Sequence, residues 1–323
     1  MNKKYQFLVL LILVVAAIWY VFGHNNLFAY LTKVSALDLV LLFVFMVLTQ
    51  LAIGYQFQCL MKMFELNMGF REWFGLSVCN TMFNYYLPAR SGLAIRAYYL
   101  KKKYAFTYSH YMSMTAGSQI IAFFLSAGLG LGSALLYKPI HGVWLGKFIV
   151  LFIFLLGATV IGTVVLLVLL KLGRTFKNAR INNILRLFEE GLNLFGKNKK
   201  LVGVFCFFYI LSIFAVGTRL FICFSAIGVD VTPLQMLIIP SLTTFSLMLP
   251  LTPANLGVRE GIISGCAYWF GLPADQALLA ALIDRGAAVI MTFLFGLIFS
   301  RILLSGMKPA EDIADKDVVG TGD

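Results

Sequence analysis

The sequence predicts an all-α polytopic membrane protein with about six full spans and two re-entrant hairpins broken by Pro and Gly, arranged as an inverted repeat. Three observations lead there. Of the 323 residues, 60% are hydrophobic and 12% charged, against about 45–50% and about 25% in soluble domains. Apolar runs long enough to cross about 30 Å of hydrocarbon recur along the chain. Two further apolar stretches carry a Leu-Pro pair followed by a polar, Gly-containing turn, which a smooth span lacks. No stretch is left for a soluble domain larger than a loop, which excludes most conventional soluble enzymes. Positions 1–307 therefore read as one transmembrane domain, with half-repeats at about 1–137 and 148–305.

The first run, 5–22, follows Lys3 and Lys4 and imitates a signal peptide, but no small-residue cleavage site ends it before Gly23. It reads as a retained span. Further spans are expected at 37–60, 106–136, 148–170, 201–227 and 278–304. Five cysteines lie scattered in apolar runs without CxxC spacing, and His24, His110 and His141 are far apart. Neither a disulfide framework nor a zinc site is expected, and no cofactor.

The segments 73–100 and 233–270 are broken at Leu87-Pro88-Ala89-Arg90-Ser91-Gly92 and at Leu249-Pro250-Leu251-Thr252-Pro253-Ala254-Asn255-Leu256-Gly257. Proline removes a backbone donor, and in lipid a freed backbone group is tolerated only where protein or a wet cavity covers it. Charge decides how the first segment crosses. If 73–100 enters and leaves on one face, Lys3, Lys4, Lys62, Arg71, Lys101, Lys102, Lys103 and the basic loop 172–200 share a side. As a complete span it would send the three lysines and that loop outside, against the positive-inside tendency. The hairpin reading places both termini in the cytoplasm and the protein in the plasma (inner) membrane. The second hairpin then opens to the opposite face.

The two breaks resemble each other: Pro88, Gly92, Arg96 in one, and Pro250, Pro253, Gly257, Arg259 in the other, with the prolines 162 positions apart. Broken helices in corresponding places of two halves are the pattern of an inverted-repeat transporter. Two ordinary Pro-kinked helices are the competing reading.

Arg90, Arg96, Arg219, Arg259, Arg285, Glu260 and Asp284 fall within or beside membrane segments. A charge at the bilayer centre costs about 2.5–3.5 kcal/mol on insertion scales, so each is expected to face a partner or a wet cavity. The arginines outnumber the carboxylates, which suits an anionic guest. The guanidinium fork also matches phosphate geometry. Arg96 and Arg259, at or near the start of each second arm, are the leading phosphate ligands, with free helix N-terminal N–H groups beside them. Arg90 and Arg219 have the alternative of snorkelling to an interface or binding a helix-end carbonyl. Glu260 and Asp284 are candidate counter-ions or charge-tuning groups, Arg285 and Asn84 further candidates at the site.

Gly128-Leu129-Gly130-Leu131-Gly132 lies in an apolar helix with no preceding strand, so it reads as helix packing and not a nucleotide loop. The GxxxG spacing of Gly142 and Gly146 reads the same way. Ile181, Ile184, Leu185, Phe188, Leu192 and Phe195 recur at helical spacing among basic residues, an in-plane amphipathic helix on anionic headgroups. The net charge of +12 thus needs no nucleic acid. The tail 308–323, with Glu311, Asp312, Asp315 and Asp317, reads as a disordered acidic end.

Asn84-Tyr85-Tyr86-Leu87-Pro88-Ala89-Arg90-Ser91-Gly92 with Arg96, and Leu249-Pro250-Leu251-Thr252-Pro253 with Leu256-Gly257-Val258-Arg259-Glu260-Gly261, resemble the transmembrane flippase domain of bacterial lysylphosphatidylglycerol synthases and its stand-alone relatives. The resemblance runs roughly from the second span to the last. It implies a lipid-handling module that, in bifunctional members, moves aminoacylated phosphatidylglycerol between leaflets. The lysyl-transfer domain of those members has no counterpart here, so no aminoacyltransferase activity is expected. Two departures stand out: Leu93 where the family pattern has an acid, and Ala254-Asn255 where it has a Gly-Gly turn.

The leading expectation is a lipid translocase, with Arg96 and Arg259 holding the phosphate of an anionic or aminoacylated phospholipid or a polyprenyl-phosphate lipid. No P-loop or ATPase domain supplies energy. The alternative is a lipid-binding scaffold or accessory subunit for a glycosyl- or aminoacyltransferase. An intramembrane enzyme ranks last, since no Ser/His, His/Asp or metal-ligand cluster supports it.

Overall fold

The structure, a computed structural model, describes residues 33–86, 91–141, 145–173, 179–248 and 252–305. The expected first span at 5–22, the breaks at Pro88, Arg90 and Pro250, Gly142 and the acidic tail lie outside the described residues. Everything regular among the described residues is helical. Five helices are long and apolar enough to cross a membrane: α1 (Ala36–Met63), α4 (Tyr108–His141), α5 (Gly146–Gly173), α7 (Lys199–Ala226) and α10 (Ala274–Ser305). They match the five expected spans that fall on described residues.

Between them lie shorter helices: α2 (Phe70–Tyr86), α3 (Ser91–Tyr104), α6 (Ala179–Lys197), α8 (Pro233–Thr243) and α9 (Val258–Trp269). At 1.5 Å per residue, α2 and α3 reach only about 25 and about 21 Å, and α9 about 18 Å, short of the hydrocarbon thickness. Local chemistry sets several ends. Ser35 caps α1 in a reciprocal box with Asp38, and Thr232 caps α8 with Gln235 while Pro233 takes the first helical position. These satisfy N–H groups that a helix start leaves open.

α2 and α3 form an antiparallel pair. At its closed end Ser91 Oγ donates to Phe83 O, and Asn84 Oδ1 accepts from Gly92 N at 3.0 Å. At its open end Tyr99, Lys103 and Tyr104 all reach the Glu72 carboxylate. Glycine is required at 92, because a Cβ there would lie 2.1 Å from Asn80 O. The feet of this pair adjoin the aromatic group Phe64, Phe106 and His110. α8 and α9 open towards the other end of the bundle, where Gln235 Nε2 donates to Tyr137 Oη and Phe270 stacks on Phe148 at 4.7 Å. His110 and Tyr137 mark opposite ends of α4, so the two broken pairs open in opposite directions.

The element boundaries also recur. Ala36–Met63 and Lys199–Ala226 are both 28 residues long and begin 163 positions apart, as do Phe70 and Pro233. α1 packs on α7, α2 on α10 and α8 on α4, so each half lends its first short helix to the other half's last long one. Two apolar clusters result, one around Phe57, Leu100, Phe106 and Phe205 and one around Phe148, Phe224, Ile238 and Ala280. A polar cavity borders the first of these and a small third cluster of Met46, Ala288 and Met291.

α6 departs from expectation. It does not lie wholly on headgroups: Gly191 sits against Ser113 and the Phe195 ring covers Gly117, so part of its apolar face meets α4. Small residues on both helices let the backbones approach, which consumes surface that lipid would otherwise cover. α5 behaves oppositely, presenting Val150, Phe154, Ile161 and Leu169 outward as a lipid-facing helix does.

Candidate functional site: a mid-depth cavity with surplus arginine

A cavity of about 520 Å³ opens near the middle of α1, α7 and α10. Its wall is polar for so apolar a chain. Thr49, Gln50 and Gln56 come from α1, Asn80, Asn84 and Tyr85 from α2, Arg96 from α3, Gln119 from α4, Ser212 and Arg219 from α7, Arg259 from α9 and Arg285 from α10. Thr244 and Asn255 line it from the turn region between α8 and α9.

Four arginines and two carboxylates meet here, and the pairing is specific. Asp284, fully buried, takes Arg219 on Oδ1 and Arg259 on Oδ2, the latter at 2.7 Å. Glu260 Oε1 is in ion-pair contact with Arg285 Nε, and Glu260 Oε2 accepts from Gly257 N at 2.8 Å. All four carboxylate oxygens are therefore engaged. Arg285 Nη2 also donates to Ala254 O.

Arg96 has no carboxylate partner among the described residues. It is 8% exposed, its Nη2 reaches Leu76 O at 3.4 Å, its guanidinium lies 4.1 Å over the Phe57 ring with Tyr111 beside it, and its Nε has no hydrogen-bond partner. A cation held against an aromatic face retains part of its stabilisation. A buried N–H without a partner still costs about 1–3 kcal/mol.

Arg96 sits in the second turn of α3, near its start, with Leu93 of the first turn also in the cavity wall. Two expectations change. Arg219 neither snorkels nor caps a helix; it is buried against Asp284, since a charge inside an apolar helix is tolerated once paired. The N–H groups expected to be free are in part taken, Gly92 N by Asn84 and Gly257 N by Glu260. The other candidates stand close to where the sequence puts them: Arg259 opens α9, Glu260 pairs with an arginine that is not its neighbour, Asn84 and Arg285 line the cavity, and Asp284 lies behind its wall, held by Arg219 and Arg259.

Pro253 begins a short 3-10 turn, Pro253–Asn255, and Gly257 caps α9 with φ of 81°. Ala254 and Asn255 both adopt left-handed backbone, at φ 48° and 54°. That is the conformation glycine takes without cost, which accounts for a Gly-Gly pair fitting this turn. Leu93, the other departure, lines the cavity on the helix that carries Arg96.

Sequence reasoning missed the carboxamides Gln50, Gln56, Asn80, Gln119 and Asn255. The available signal was a side-chain amide in the middle of an apolar run, as with Gln50 and Gln56 inside α1.

Crossing apolar helices around an arginine-rich cavity define a polytopic membrane protein with a polar interior. Comparison with known families agrees: a family model described as the lysylphosphatidylglycerol synthase TM region matches residues 6–296, and the chain belongs to that family. The chain is also 35% identical over 112 residues to a UPF0104 membrane protein of Methanothermobacter thermautotrophicus. That similarity covers 34% of this chain and 32% of the relative, about a third of each.

Proposed function

We propose that the protein binds the phosphate-bearing headgroup of a membrane lipid in this cavity and passes it between the two faces of the plasma membrane. In this reading the pairs α2/α3 and α8/α9 are re-entrant hairpins of an inverted repeat, and both termini are cytoplasmic. The protein itself transfers no aminoacyl group. The observation that carries the reading is Arg96, a buried guanidinium at a polar cavity that no carboxylate neutralises. An anion supplied from outside the chain would complete it, and a lipid phosphate matches its fork.

The depth of the cavity supports movement over mere surface binding. It lies near the middle of three long helices, and the short helices approach it from opposite ends. Broken helices around a mid-depth site are how alternating access is built in other membrane carriers. Asp284 and Glu260 would hold the neighbouring arginines in place while the headgroup passes.

The test is reconstitution into liposomes with a fluorescent anionic phospholipid and a membrane-impermeant quencher. The wild type is expected to expose inner-leaflet lipid that protein-free vesicles protect, and Arg96→Ala to lose that exposure. Equal exposure with and without protein, alongside intact lipid binding, would leave a lipid-binding scaffold as the function.

A further inference from the structure

The cavity wall also specifies what the phosphate carries. We propose that its ligand is a phosphate ester with a hydroxyl-bearing substituent, glycerol or sugar, presented by a lipid, and that a substituent bearing an ammonium group is rejected. This rests on the proposed lipid-phosphate reading and refines it.

The first ground is charge. An ammonium group has three donors and needs acceptors, best of all a carboxylate. Both oxygens of Asp284 are committed to Arg219 and Arg259, and those of Glu260 to Arg285 and Gly257 N. An ammonium entering the cavity would meet surplus guanidinium and no free carboxylate oxygen of that set. Burying it unpaired is costly, and like charge adds to the cost.

The second ground is the unpaired polar atoms of the wall. Arg96 Nε, Arg285 Nη1, Gln119 Nε2 and Asn80 Oδ1 are buried without a partner among the described residues, and all four residues line the cavity. A carboxamide offers a donor and an acceptor whichever way it is turned. A bare phosphate monoester lends oxygen acceptors to Arg96 and Gln119 but leaves Asn80 to compete for its one proton. A hydroxyl donates and accepts at once, so a phosphate beside a polyol satisfies both kinds of atom. The contrast with the four committed carboxylate oxygens makes the selectivity a property of this wall.

The experiment is native mass spectrometry of the purified full chain with phosphatidylglycerol, phosphatidic acid and lysylphosphatidylglycerol supplied at equal concentration. Soluble glycerol phosphate is the competitor. Phosphatidylglycerol should be retained at least about tenfold over the lysyl lipid, and severalfold over phosphatidic acid. Asn80→Leu, which removes the acceptor that a bare phosphate leaves unmet, should shrink the advantage over phosphatidic acid. Leu93→Glu, which adds a carboxylate to the wall, should raise retention of the lysyl lipid.

Equal or better retention of the lysyl lipid by the wild type would overturn the headgroup assignment while leaving phosphate binding intact. Retention of every lipid unaffected by Arg96→Ala would overturn the underlying reading instead. Displacement of bound lipid by glycerol phosphate at matched concentration would make the ligand a soluble ester and sink the lipid as its source.

Discussion

Arg96 and Arg259 stand 163 positions apart, the same displacement that carries α1 onto α7, yet only Arg259 has a carboxylate partner. The displacement sets Ile121 where the second half has Asp284, and Ala97 where it has Glu260. The second half therefore carries counter-charges for its arginines, while Arg96 has none among the described residues. The Arg259–Asp284 contact at 2.7 Å shows what an oxyanion opposite Arg96 would look like.

Removing each charge should consequently have opposite effects on stability. Asp284→Asn strands Arg219 and Arg259 and should cost about 3–5 kcal/mol, the penalty for breaking a buried ionic group on one side. Arg96→Met keeps an unbranched apolar chain at the position and orphans no carboxylate among the described residues, so thermal unfolding in detergent should move little or upward. A large loss with Arg96→Met would mean that an internal anion already serves it.

The turn before α9 should tolerate glycine better than what it has. Ala254→Gly relieves a left-handed residue and should stabilise by about 1 kcal/mol, read as a raised unfolding temperature. Gly92→Ala should do the reverse, since the added methyl meets Asn80 O and must push α2 and α3 apart. An unfolding temperature lowered by Ala254→Gly would contradict the turn geometry.

The opposite opening of the two broken pairs has a direct test in labelling. Single cysteines at Lys102 and Asp275, both exposed, should react with an impermeant maleimide from opposite sides of the membrane, Lys102 from the cytoplasm. Reaction of both from one side would overturn the inverted arrangement.

Glu72 ties the feet of α2 and α3 together. Burial raises its pKa, but Lys103, Tyr104 and Tyr99 outweigh that and hold the carboxyl below its ordinary value of 4.5. A depressed pKa contributes stability above the unfolded value and loses it as pH falls through the folded one. Unfolding temperature should therefore drop as pH is taken below about 4.5, and Glu72→Gln should flatten that drop. An unchanged pH profile in the variant would assign the acid sensitivity elsewhere.

Much of this was legible in the sequence because lipid enforces simple rules. The five long helices are written as apolar runs, and the breaks as Leu-Pro followed by Gly and Arg. The charge surplus could be counted, but the pairing could not, since Asp284 meets residues 65 and 25 positions away. Arg219 sits in an otherwise smooth apolar helix and looks like a snorkelling residue until α7 and α10 are packed together. The docking of α6 was hidden for a related reason: periodicity gives an apolar face but not what covers it, and Gly191 and Gly117 carry no hydropathy signal.

The most direct measurement of the central claim is the lipid bound to purified wild type and to Arg96→Ala, weighed in the same native mass spectrometry run. Arg96→Ala should lose a phosphate lipid that the wild type holds, with Arg259→Ala losing stability more than lipid. Identical and unselective lipid in wild type and Arg96→Ala would contradict the account and make the guanidinium a structural group.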